Sequence, residues 1–112
     1  VATLIVNDAD LDGFLWTSGV YVACNVGGDQ FTNDGKTWIH VKNTNAATRT
    51  VTINSQRTCD QGFDHDQAYV VGATTGEAVA GPFLRERFND AGGFVLITYS
   101  AVTNLTIAVF SL

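Results

Sequence analysis

Methionine is absent from this chain, proline occurs once, at Pro82, and charged residues make up only 15% of 112 positions. Soluble domains usually carry about 25% charged residues. The shortage of charge does not mark a disordered segment, because 46% of the residues are hydrophobic and disorder needs low hydrophobicity with high charge. Cations are the scarcest class: six Lys and Arg face eleven Asp and Glu, for a net charge of −5 and a pI near 4.6. Nucleic acid is therefore not an expected partner, since phosphate binding relies on clustered Lys and Arg. No apolar run approaches the roughly 20 residues of a membrane-spanning helix, and no membrane contact is expected. The start, Val1-Ala2-Thr3-Leu4-Ile5-Val6-Asn7, lacks the basic opening and longer apolar stretch of a secretory leader. Only two cysteines occur, Cys24 and Cys59, and they form no CxxC pair. Zinc and dithiol chemistry thus have little support, while a Cys24–Cys59 bridge and two buried free thiols both stay open.

Good helix formers are rare as well, with Glu and Lys together supplying four residues, whereas Val, Ile and Thr abound. Stiff β-branched side chains suit pleated sheets, and no stretch sustains an apolar helical period. The chain is expected to be all-β, a single domain over residues 1–112. The architecture expected is an antiparallel β-sandwich, jelly-roll or immunoglobulin-like, with eight or nine short strands and no substantial helix. Alternation and turn residues place strands at 3–7, 19–24, 37–42, 48–54, 67–72, 77–80, 83–88, 94–99 and 105–111, with residues 1–7 an extended arm or edge strand. Pro82 belongs at a strand start or edge, because it cannot donate to a ladder.

Alternation also assigns faces. Ile39 and Val41 point one way, and Trp38, His40 and Lys42 the other. Val51 and Ile53 face inward, and Thr50, Thr52 and Asn54 outward. Residues 43–47 would join these two strands as a hairpin. The last two strands are apolar on both sides: Phe94 and Leu96 oppose Val95, Ile97 and Tyr99, and Leu105, Ile107 and Val109 oppose Ala108 and Phe110. Such strands want cover on the second side too, from the same chain or from another subunit. Leu105, Ile107, Val109 and Phe110 are therefore candidates for core or subunit contact, Leu4 and Val6 for contact by the arm, and Trp38 and His40 for an exposed binding face. Two segments, 31–35 and 88–93, share an Asn-Asp-(x)-Gly pattern suited to tight turns.

Motifs that could carry chemistry are incomplete. Asp8, Asp10 and Asp12, followed by Gly13, match the opening of a calcium loop, but the position of the bidentate Glu is Gly19. An exposed acidic turn explains the same residues. His65 lies between Asp64 and Asp66, near Cys59 and Asp60, without a second His nearby. Gly-x-Ser-x-Gly is absent, and Glu86 is flanked by Arg85 and Arg87, which favours its ionised form over a catalytic acid. No catalytic residue and no cofactor are expected.

Several stretches carry a likeness. They are Phe31-Thr32-Asn33-Asp34-Gly35-Lys36-Thr37, His40-Val41-Lys42-Asn43, Ser55-Gln56-Arg57-Thr58-Cys59, Gly81-Pro82-Phe83, Arg87-Phe88-Asn89-Asp90, and the segment from Thr98-Tyr99-Ser100 through Leu105-Thr106 to Ala108-Val109. Over about residues 30–110 the chain resembles small virion-associated β-sandwich proteins of tailed phages and prophages, of the kind that cement or decorate capsids. The resemblance implies a non-enzymatic role on the capsid exterior, a major capsid protein or other virion protein as partner, and a homo-oligomer. It brings no catalytic residues. The alternative function is a carbohydrate-binding or adhesion module using Trp38 and the Asp8–Asp12 turn.

Overall fold

The computed structural model describes residues 1–8, 20–58, 61–62 and 65–111. Ten strands run in chain order: β1 (Ala2–Thr3), β2 (Val6–Asp8), β3 (Val22–Ala23), β4 (Asp29–Thr32), β5 (Thr37–Asn43), β6 (Arg49–Ile53), β7 (Gln67–Val71), β8 (Gly76–Ala80), β9 (Phe94–Tyr99) and β10 (Leu105–Ser111). One four-residue helix, α1 (Arg85–Phe88), precedes β9. The all-β expectation holds, and the strands form two five-stranded sheets. Sheet A has the order β1-β4-β9-β6-β7; sheet B has the order β2-β10-β5-β8, with β3 also on β10.

The sheets are mixed rather than antiparallel, which corrects the expectation. β1 pairs parallel to β4 and β2 parallel to β10. The cause is the N-terminal segment, which does not form one strand. Its first part joins sheet A and its second joins sheet B, so Leu4 turns into the core, 8% exposed, and Ile5 points outward, 82% exposed. A second correction concerns 37–54. β5 pairs with β10 and β8, while β6 pairs with β7 and β9, so residues 44–48 pass between sheets instead of closing a hairpin. β5 and β6 each have a single apolar face. Ile39 and Val41 can bury that face against Val51 and Ile53 only from opposite sheets, and all four belong to one hydrophobic core. Residues 85–88 form a helical turn, not a strand, and β4 was not foreseen.

The core joins Ile39, Val41, Leu105, Ile107 and Val109 of sheet B to Phe31, Val51, Ile53, Val71, Val95 and Ile97 of sheet A. Buried asparagines tie the connections to it. The Asn43 side-chain amide, 1% exposed, donates to the carbonyls of Ala47 at 2.9 Å and Gly72 at 3.0 Å, and its oxygen accepts from the Asn45 N–H. The two Asn-Asp-Gly segments lie side by side. Asn33 Nδ2 donates to Asn89 Oδ1 at 2.7 Å, Asn89 Nδ2 returns a bond to the Asn33 carbonyl, and the Asn33 N–H reaches the Gly93 carbonyl. Asp34 and Asp90 accept from backbone N–H groups two residues on, the turn chemistry their sequence called for.

Candidate functional site

The molecule presents three places where function could reside: the outer face of sheet B, a buried polar cluster, and the outer face of sheet A. On sheet B, β5 places Trp38, His40 and Lys42 outward, half-buried, as alternation required. Trp38 stands opposite Phe110, and the rings stack with centroids 4.6 Å apart. Tyr21 meets both Phe110 and His40 edge-on, and Lys42 Nζ sits 4.0 Å above the Tyr21 ring. Phe110 and Ala108, on the second side of β10, are therefore covered within one chain, 2% and 3% exposed. Leu105, Ile107 and Val109 take the first of their two expected roles, as core. None of the four adds apolar surface for a partner. Leu4 is likewise buried and Val6 is packed against the core.

His40 links two partners. Its Nε2 lies 2.7 Å from Glu77 Oε1, and its Nδ1 lies 2.5 Å from Tyr21 Oη. A carboxylate only accepts, so in the neutral ring Nε2 donates to Glu77 and Nδ1 accepts the phenol proton. Burial, and then the Glu77 charge, push the Tyr21 phenol above its ordinary range. A phenol held protonated is no nucleophile, and the array reads as a brace across β5 and β8. Beside it, Gly35, Lys36, Trp38, Val79, Gly81 and Pro82 line an apolar cleft of about 360 Å³. Gly81 is essential to that wall. Its φ is +126°, and a Cβ there would lie 2.7 Å from the Trp38 Cβ.

The buried cluster joins Cys24, Tyr99 and Asp29. Tyr99 Oη donates to Asp29 Oδ2 at 2.6 Å, and the Asn25 N–H donates to the same oxygen. Asp29 is 1% exposed. Cys24 is a free, buried thiol, which decides between the two readings of that residue. Burial pushes it up to about 12, Tyr99's hydrogen bond only partly opposing. Tyr99 is pushed up too, by burial first and then by Cys24. Neither group can act as an anion near neutral pH, so the cluster serves packing.

The remaining motifs do not assemble. Asp8 is exposed at the end of β2, and Asp10 and Asp12 lie outside the described residues, as do Cys59, Asp60 and Asp64. Among the described residues, no group of three or more His, Cys, Asp or Glu could hold a metal ion. The Asp66 carboxylate accepts from the Ser55 N–H at 2.7 Å, and the His65 carbonyl accepts from Arg87. Arg57, His65, Glu86 and Arg87 border an open hollow of about 580 Å³.

The outer face of sheet A is different in kind. Paired residues in adjacent strands point to the same side. Thr52 is opposite Ala68 and Thr98, and Thr50 is opposite Val70. Leu96 is opposite Gln30, and Phe94 opposite Thr32. Thr3 continues the row beyond Gln30, whose amide donates to it at 3.0 Å. Across five strands no outward side chain of these pairs carries a charge, although the molecule has a net charge of −5. The two largest, Phe94 and Leu96, are half-buried on β9, the middle strand of the sheet. The sequence signalled this face through the double-sided β9 and the outward Thr50 and Thr52. Only the strand order joins them into one surface.

No protein family, curated protein or solved structure matches this chain.

Proposed function

We propose that this chain is a non-enzymatic structural protein of a tailed-phage virion, a capsid cement or decoration protein on the particle exterior. In this reading the two sheets are the halves of one sandwich, and the domain works as an adhesive slab. The observation that carries the reading is the outer face of sheet A. A five-stranded face whose ladder-paired outward side chains carry no charge, with Phe94 and Leu96 on its middle strand and threonines around them, has the anatomy of a protein contact. The likeness of residues 30–110 to virion-associated proteins supplies the setting. Ile5 and Val1, 82% and 74% exposed beside the docked strands β1 and β2, add apolar contact for a neighbouring capsid subunit. A cement protein bridges subunits of the intact shell only, and so stabilises the shell by linkage. Particles assembled with and without the chain are heated, and genome release is followed. Particles bearing the chain are expected to release at a temperature several degrees higher; equal release temperatures would overturn the proposal.

A second reading is a carbohydrate-binding module, favoured by the apolar cleft beside Trp38. An indole in a shallow cleft suits a sugar's apolar face. Glycan-array binding that disappears in Trp38→Ala would favour this reading over the first.

A further inference from the structure

We infer that the hollows around α1 form a binding groove for an acidic saccharide, whose carboxylate or phosphate is held between Arg57 and Arg87. The inference does not involve the capsid contact on sheet A. It rests on the second reading, in which Trp38 receives a sugar, and adds the chemical class of that sugar.

The hollows are continuous. The one bordered by Arg57, His65 and Arg87, of about 580 Å³, shares Leu84 and Glu86 with a second of about 430 Å³. The second shares Gly35 and Lys36 with the apolar cleft of about 360 Å³ at Trp38 and Pro82. A ligand can run from the arginines, past Leu84, to the indole.

Charge selects what lies there. In a chain with a net charge of −5, the described lining holds four of the six Lys and Arg: Lys36, Arg57, Arg85 and Arg87. Two carboxylates, Asp34 and Glu86, line the middle hollow with them. Asp34 is engaged internally, its Oδ1 accepting from the Lys36 N–H and the Thr37 hydroxyl. Among the described residues none of the four cations has a carboxylate oxygen within 4.0 Å. Unpaired cations gathered on an acidic molecule call for an anion from outside.

The arginines are placed for it. The Gln56 N–H donates to the Arg87 carbonyl at 2.8 Å, and the Ser55 hydroxyl donates to the Arg57 carbonyl at 2.8 Å. These bonds hold the 55–58 turn against α1. The Arg87 guanidinium donates to the His65 carbonyl, and its carbon lies 4.8 Å from the Phe88 ring centroid. The planar fork is thereby oriented, with further donors left for an oxyanion. Arg57, exposed, brings a second guanidinium to the same hollow.

Hydrogen bonding separates a saccharide from other anionic chains. A peptide laid along a groove gains affinity from main-chain bonds, but backbone N–H groups here are already spent. Gly35 and Lys36 donate to the Asn33 and Asp34 side chains, and Arg87 and Phe88 donate to the Leu84 carbonyl. Recognition falls to side chains, and Thr58, His65 and Gln67 offer the donors and acceptors that ring hydroxyls need. A nucleic-acid strand repeats its charge at every nucleotide, and Asp34 and Glu86 in the middle hollow oppose such a run. A sugar chain charged at one end and neutral at the other meets both conditions, its apolar ring face on the indole.

Isothermal titration calorimetry on the full chain tests this with oligogalacturonate, phosphorylated dextran and neutral dextran. Polyglutamate and oligothymidylate serve as rival polyanions. The acidic sugars are expected to bind, neutral dextran far more weakly, and the affinity to fall as NaCl rises. The tighter of the two acidic sugars identifies the anionic group as carboxylate or phosphate. Arg57→Glu, at an exposed position, should weaken binding about tenfold or more with an unchanged melting temperature. Trp38→Ala should weaken it too, and Lys42→Gln, outside the groove, should bind as wild type. Failure of both acidic sugars to bind overturns the inference. So does equal or tighter binding of polyglutamate or oligothymidylate, and so does acidic-sugar binding untouched by Arg57→Glu. Neutral dextran bound as tightly as the acidic sugars, with binding lost in Trp38→Ala and kept in Arg57→Glu, would remove this inference and leave the second reading standing. Acidic-sugar binding lost in Arg57→Glu but untouched by Trp38→Ala would do the reverse.

Discussion

Cys24 illustrates how environment overrides side-chain identity. Cys24 bonds through its N–H to the Leu105 carbonyl of β10, its thiol lies against Tyr99 and Asp29, and its pKa moves from 9.0 to about 12 because burial disfavours the thiolate. At pH 8 its thiolate fraction is then roughly a thousandfold below that of an ordinary thiol. In a Cys59→Ser background, iodoacetamide should label Cys24 far more slowly in the native state than in urea. The sign of the pH effect follows from the same shift. The raised value contributes stability that is complete below about pH 9 and is lost as pH rises towards 12, because the unfolded chain releases the proton first. Urea midpoints should fall more steeply between pH 8 and 11 for the wild type than for Cys24→Ala; parallel profiles would contradict the assignment. The burial of Cys24 was among the readings the sequence left open. Its contact with Tyr99 was not legible, since Tyr99 lies 70 residues from Asp29 along the chain and the two meet through the pairing of β4 with β9.

Strands show where period-two reasoning succeeds and where it stops. Along β5 the burial alternates without a break from Thr37 to Asn43, as the pattern of Ile39 and Val41 demanded. β10 departs from alternation, with Ala108 and Phe110 buried on the side facing away from the core. Phe110 is covered by Trp38 and Tyr21 and Ala108 is 3% exposed, so the second apolar side is sealed within one chain. β9 keeps its second side half open, and there the case for assembly survives. The energetic contrast between strand positions is testable. Ile107→Ala, at a position of zero exposure, should cost about 2–5 kcal/mol by removing transfer energy and leaving a cavity. Val79→Ala, 64% exposed on edge strand β8, should stay within about 0.5 kcal/mol. Urea denaturation of both variants checks the pair, and similar losses would mean that the layers are misassigned.

For the whole molecule the decisive quantity is where charge is not. With eleven acidic and six basic residues in 112, two copies repel at long range, and salt screens that repulsion with a Debye length of about 8 Å at physiological ionic strength. A contact built from neutral side chains has no ion pair to lose. Raising the salt should therefore strengthen binding of the chain to capsids or leave it unchanged, as read by co-sedimentation with particles in low and high NaCl. Weakening by salt would place the contact on a charged surface, such as that of Lys42 and Glu77 on sheet B.

By itself the amino-acid sequence determined the class of structure. Scarce helix formers and abundant β-branched residues leave sheets as the way to bury 46% hydrophobic residues, and alternation states which side of most strands is apolar. Tertiary structure alone decided which strands share a sheet. It divided the N-terminal segment between two sheets, set β5 and β6 in different sheets, and lined up neutral ladder pairs from five strands on one face. A period of two reports the direction of each side chain relative to its own strand. It carries no information about neighbours, and a surface belongs to neighbours.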